Sequence, residues 1–166
     1  DTRATKLSGW LEKNFPCTVE VLPAELYNRR YSGNLNTLLS ALHAQVIATL
    51  SKAHGVSSAV SDRFGRSDLI EAELIRHGAT VKLISVPKAE ADIAVAAASV
   101  LARGLFLEGL QQSSVEAGLT LPPGAGPQVI AAAKELVRLF GRDALKDFAK
   151  YHFKTSTSVL ETEEKD

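Results

Sequence analysis

The sequence contains no methionine, not even at its first position, and a single cysteine, Cys17. One cysteine excludes an internal disulfide and any cysteine cluster for zinc, and fits a reducing, intracellular setting such as the cytoplasm. There is no excess of charge of either sign, because 19 Lys and Arg offset 19 Asp and Glu. The bulk field therefore recruits neither nucleic acid nor membrane, and either partner needs a local patch. Long hydrophobic runs are missing too. The longest uncharged apolar stretch, Ile93 to Ala102, falls far short of the roughly 20 residues of a span, so no membrane partner is expected. No secretory signal opens the chain. No P-loop, GxGxxG or GxSxG elbow occurs, and His43, His54, His77 and His152 lack the HExxH spacing of zinc hydrolases.

What is present reads as an ordinary globular chain. Its 166 residues are 45% apolar, enough for one domain with a sizeable core. It opens on Asp1 in a charged stretch, so the natural protein is expected to start earlier. Leu7, Trp10, Leu11 and Phe15 have helical spacing over residues 2–15. "CTVEVLP" alternates Val19 and Val21 with polar neighbours and predicts a strand ended by Pro23. "YNRRYSG" reads as a polar loop. Asn34 predicts the cap of a long helix through about Ala53. "VSSAVS" and "TVKLISV" predict two further strands, separated by a helix that starts at Ser67 or Asp68 and stops at Gly78. A helix follows over about 89–116. After the break "LTLPPGAGP" come helices over 129–140 and 143–151, and residues 155–166 are expected to form a flexible acidic tail. Strands separated by helices predict an α/β domain with a parallel sheet portion, thin at three strands for its many helices.

Asp62 closes the second predicted strand. The carboxyl ends of parallel strands are where open α/β sheets bind ligands, although a turn aspartate is the commoner use of that position. Glu90 and Asp92 follow the third strand, where a helix N-terminus favours negative charge without any further role. If the two strands are neighbours, Asp62 converges with Glu90 or Asp92. Carboxylates brought together repel unless a cation neutralises them, and an all-oxygen set suits Mg2+ or Mn2+ rather than zinc. Lys88 is placed to hold a phosphate or is simply solvated. The small residues of "IAVAAAS" are read as tight helix–sheet packing. His43 is read as a hydrogen-bonded core residue and His77 as a cation at a helix C-terminus. Lys150, His152 and Lys154 in "KYHFK" form a short basic-aromatic cluster, either a contact to a nucleic-acid backbone or a frayed helix end.

Four segments in order, "YNRRYSGNLNTLLSALHAQVIATL", "SDRFG", "PKAEADIAVAAASVLAR" and "LPPGAGPQVIAAAKELVRLFGRDALKDFAKYHFK", resemble type 2 ribonuclease H, and within it the ribonuclease HIII branch. The resemblance covers nearly the whole chain. It implies a ribonuclease H-like mixed sheet with flanking helices, and cleavage of the RNA strand of RNA/DNA hybrids by two divalent ions, Mg2+ or Mn2+, held on four carboxylates. Asp62 would be the third of these and Glu90 the fourth, with Asp92 as the rival for that place. Lys88, Lys150, His152 and Lys154 would contact the hybrid. The family's Asp-Glu-x-Gly-x-Gly motif, which carries the first two carboxylates, is absent. Residues 1–154 are therefore expected to be an incomplete catalytic domain that lacks the N-terminal strands and ends in C-terminal helices. Its partner would be the missing N-terminal part of the same protein or a second chain. The rival reading is a truncated, catalytically inactive module that binds nucleic acid or a protein.

Overall fold

The computed structural model describes residues 2–162 and divides them into two units. The first comprises the chain through Glu20 together with Tyr31–Leu105, and the second comprises Val21–Arg30 and the chain from Phe106 onward.

The first unit opens with α1 (Thr2–Asn14). Its apolar periodicity does not mark its buried side. Leu7, Trp10 and Phe15 are exposed, and the buried residue is Ser8. Small size decides the contact: a Cβ added at Gly104 would fall 2.1 Å from Ser8 Oγ, so only glycine lets the two backbones approach this closely. The long helix α3 (Leu35–His54) begins where expected, with the Asn34 side chain accepting from the N–H groups of Asn36 and Thr37. It ends on Gly55 in the left-handed conformation.

A β-α-β unit follows: β1 (Ser58–Asp62), α4 (Ser67–Arg76) and β2 (Lys82–Val86). The strands pair in parallel, with Asp62 opposite Val86. Ala44 of α3 and Ile70 and Leu74 of α4 form the core, with Phe64 and Leu83 packed against it. Alternation along β2 turns Ile84 and Val86 to the other face, where they are 39% and 38% exposed. The strand expected at "CTVEVLP" does not form. Val19 and Val21 are exposed and have no pairing partner among the described residues. His43 lies against the Phe64 ring, centroids 4.7 Å apart, and among the described residues it has that ring contact rather than the expected hydrogen bond. His77 does cap the C-terminus of α4.

Helix α5 (Ile93–Ala117) runs from the first unit into the second. It is long and apolar enough to cross a membrane by length and composition, a property that the uninterrupted run Ile93–Ala102 alone does not reveal. The expected tight packing of its small-residue stripe is only partly realised. Val95, Ala96 and Ala97 are half-buried, while Ile93, Ala94, Ala98 and Ser99 are exposed.

The second unit is helical: α2 (Ala24–Arg30), α6 (Pro127–Phe140), α7 (Ala144–Phe148) and α8 (Lys154–Thr162). Its core gathers Ala117, Leu136, Val137, Ala144, Leu145 and Val159. Three expectations are corrected here. "YNRRYSG" is in large part helix, because α2 starts after Pro23 and carries an ion pair between Glu25 and Arg29 one turn apart. The helix expected over 143–151 stops at Phe148, because the Asn28 side chain takes up the carbonyls of Lys146 and Ala149 and the N–H of Tyr151. The expected tail is helical from Lys154 to Thr162, because Val159 is fully buried in the core. Residues 163–166 of that tail lie outside the described residues.

Candidate metal centre

Asp62 is the last residue of β1, and the sheet register sets it against the end of β2. Its Oδ1 accepts two backbone N–H groups, from Arg63 at 3.0 Å and from Ala89 at 3.3 Å. Oδ2 has no hydrogen-bond partner among the described residues, and Asp62 is exposed. The chain after Asp62 is held on three sides. Arg63 shares that same N–H with the Val86 carbonyl at 3.0 Å and donates from Nη2 to the Ser85 carbonyl at 2.8 Å. Phe64 packs on His43. Gly65 sits so close to Asn36 that a Cβ would lie 3.1 Å from its Nδ2. Arg63 was not foreseen as a site residue, since its pairing with β2 depends on a carbonyl 22 residues away.

After β2, Lys88 has φ 55°, the left-handed region, and is exposed. A short 3-10 turn, Ala89–Ala91, follows. Ala89 is buried, its N–H reaching Asp62, and the adjacent Glu90 is exposed. The structure thus ties the turn that carries Glu90 to Asp62 through the Ala89 N–H. It gives Asp92 a different task. The Asp92 carboxylate accepts from the N–H groups of Ala94, at 2.8 Å, and Val95, at 3.4 Å, and so caps α5. The helix begins after Asp92 rather than at Ala89.

The donor set is all carboxylate oxygen and fits a hard divalent cation in kind. It is incomplete in number. Among the described residues no three His, Cys, Asp or Glu side chains gather around one point.

The basic-aromatic cluster belongs to the second unit. Lys150 Nζ lies 4.8 Å from the centroid of the buried Tyr27 ring, and His152 stacks on that ring at 5.7 Å. Both are exposed, and Lys154 opens α8. Tyr27 and Asn28 hold this cluster from α2, a segment whose polar sequence looks like loop.

The family model for ribonuclease HII matches residues 4–156. The ribonuclease HIII of Chlamydia pneumoniae is 38% identical over 163 residues, covering 96% of this chain and 55% of that protein. The ribonuclease HIII of Protochlamydia amoebophila is 38% identical over 144 residues, covering 86% of this chain and 48% of that one. A crystal structure of Bst-RNase HIII in complex with Mn2+ superposes with a TM-score of 0.89 at 29% identity, over 100% of this chain and 56% of the other. Aquifex aeolicus RNase H3 superposes with a TM-score of 0.73 at 26% identity, over 92% of this chain and 55% of the other. The chain spans about half the length of the curated relatives it matches.

Proposed function

This chain belongs to the ribonuclease HII family, on its ribonuclease HIII branch, with the α/β ribonuclease H-like fold, and from that premise we propose that it carries part of the active site of an endoribonuclease that cuts the RNA strand of RNA/DNA hybrids. One observation carries the reading. Asp62 stands exposed at the carboxyl end of β1 with Oδ1 held by two N–H groups, Oδ2 without a hydrogen bond among the described residues, and the Glu90 loop tied to it through Ala89.

Asp62 and Glu90 would hold Mg2+ or Mn2+, with further carboxylates supplied by the missing N-terminal part of the same protein or by a second chain. When bound, a pair of such ions lowers the pKa of the attacking water and offsets charge on the departing ribose oxygen. The protein's own groups position the strand. Lys88 would hold a phosphate beside Glu90, and Lys150, His152 and Lys154 would contact the backbone elsewhere along the hybrid. Recognition rests on backbone shape and 2′-hydroxyls rather than on base sequence. Helix α5 is a packing helix of this fold in our reading rather than a membrane span, since the superposition with Bst-RNase HIII covers it entirely. The exposed thiol of Cys17 fits a cytoplasmic enzyme.

The test is Asp62→Asn in the longer polypeptide that completes the site. The substitution keeps size and hydrogen-bonding capacity but removes the charge that holds a cation. Hybrid cleavage should fall by orders of magnitude while the thermal midpoint holds or rises. Near-normal turnover would return Asp62 to the role of a turn residue and remove it from the metal site.

A further inference from the structure

We infer that the backbone of Lys88, rather than its charge, sets the Asp62 carboxylate for metal, making Lys88 a positioning residue of the site. The inference rests on the metal-binding reading of Asp62.

Three observations lead there. Lys88 is the single non-glycine residue with positive φ among the described residues, at 55°. For a side chain with a Cβ this conformation costs about 1–2 kcal/mol, so something around it must hold it. Lys88 leads into the 3-10 turn Ala89–Ala91, which does not itself require a side chain at that position. The turn after Val86 and Pro87 is exposed, and glycine would adopt the same shape without strain. What the conformation achieves is a reversal of the chain immediately before Ala89. The Ala89 side chain is thereby buried, and its N–H is aimed back at Asp62 Oδ1, 27 residues earlier in the sequence. The β-region alternative at Lys88 would swing that N–H away and carry Glu90 with it.

The second donor to Oδ1, Arg63 N–H, comes from the neighbouring residue and constrains the carboxylate only locally. Ala89 supplies the bond across the sheet edge. Together the two occupy Oδ1 and leave Oδ2 of the exposed Asp62 without a hydrogen bond among the described residues, while the residue after Ala89 carries the second carboxylate. Outer groups that orient a metal ligand in this way typically change metal affinity by about 10–100-fold when they are lost.

The experiment measures Mn2+ affinity by calorimetry in the completed polypeptide, with thermal midpoints alongside. Lys88→Gly and Lys88→Asn, which tolerate a left-handed backbone, should bind Mn2+ within about twofold of the parent despite losing the charge. Lys88→Val, which resists it, should bind about tenfold more weakly or worse. An amide-to-ester exchange at Ala89 deletes the donor without touching any side chain, and should weaken binding similarly even if Lys88→Val does not fold. A merely structural role would move the thermal midpoint but not the Mn2+ affinity. Equal weakening in Lys88→Gly and Lys88→Val, or an ester that binds Mn2+ normally, overturns the inference. Asp62→Asn distinguishes the two levels. If it abolishes Mn2+ binding while the Lys88 and ester variants bind normally, the positioning inference fails and the metal reading stands. If Asp62→Asn itself binds Mn2+ normally, both fall.

Discussion

The Asn28 side chain closes a three-way clamp on the segment that ends at Tyr151. Its Nδ2 donates to the carbonyls of Lys146 and Ala149, each at 2.7 Å, and its Oδ1 accepts from the Tyr151 N–H at 2.9 Å. This clamp ends α7 and sets the stretch carrying Lys150 and His152 against Tyr27. Asn28→Ala removes all three bonds at once. Part of the clamp is solvent-exposed, so water repairs some of the loss, and a cost of about 1–3 kcal/mol is expected. Asn28→Asp should cost at least as much, because a carboxylate then faces two carbonyls. Urea unfolding of the two variants checks the order, and an Asn28→Asp protein as stable as the parent would refute it.

His43 gives a pH signature. Burial in the first unit holds its pKa below the ordinary value of 6.5. The unfolded chain therefore takes up this proton at higher pH than the folded one does. The contribution of His43 to stability is complete above the unfolded value and is lost as pH falls through 6.5 toward the folded value. Between pH ~7.5 and ~5 the parent should lose more stability than His43→Gln, measured as the difference in urea midpoints, given the unperturbed histidine value of about 6.5. Parallel pH profiles for the two proteins would count against it.

Features that rest on neighbouring residues were legible in the sequence. Asn34 and Gly55 bound α3 through cap chemistry that spans at most a few positions, and β1, α4 and β2 announce themselves by period. Features that rest on distant partners were not. Val19 and Val21 alternate as a strand would, but alternation does not report whether a neighbouring strand exists. Asn28 looks like a loop residue because its three partners lie 118, 121 and 123 residues away. Val159 sits in a polar stretch, yet it fills the core of the second unit. The site divides along the same line. Resemblance to a family singles out Asp62 and Glu90, whereas the Ala89 N–H and the left-handed Lys88 are backbone features that residue types do not encode.

The chain by itself should show negligible hybrid cleavage with Mg2+ or Mn2+. Two carboxylates at one sheet edge do not pin two divalent ions, and among the described residues no third ligand joins them. The measurement is a gel assay on a labelled hybrid with purified 1–166. Robust turnover that EDTA abolishes would show that two carboxylates suffice.

The last prediction separates Glu90 from Asp92. Both follow "PKA" within a few residues, and both are acidic at the start of a helix. The structure distinguishes them by what they already do. Asp92 spends its carboxylate on the N–H groups of Ala94 and Val95 at the start of α5, while Glu90 is exposed on the turn anchored to Asp62 through Ala89. In the completed polypeptide Glu90→Gln should therefore abolish cleavage with little change in stability. Asp92→Asn keeps a side-chain acceptor for the cap, so most activity should remain. Asp92→Ala should lose about 0.5–2 kcal/mol of stability, the usual cost of an N-cap. Assays are best run with Mn2+ as well as Mg2+, because a site weakened in one ligand is easier to detect when two cations are compared. If Asp92→Asn is inactive and Glu90→Gln is not, the cap must release its carboxylate on metal binding, and the fourth ligand is Asp92.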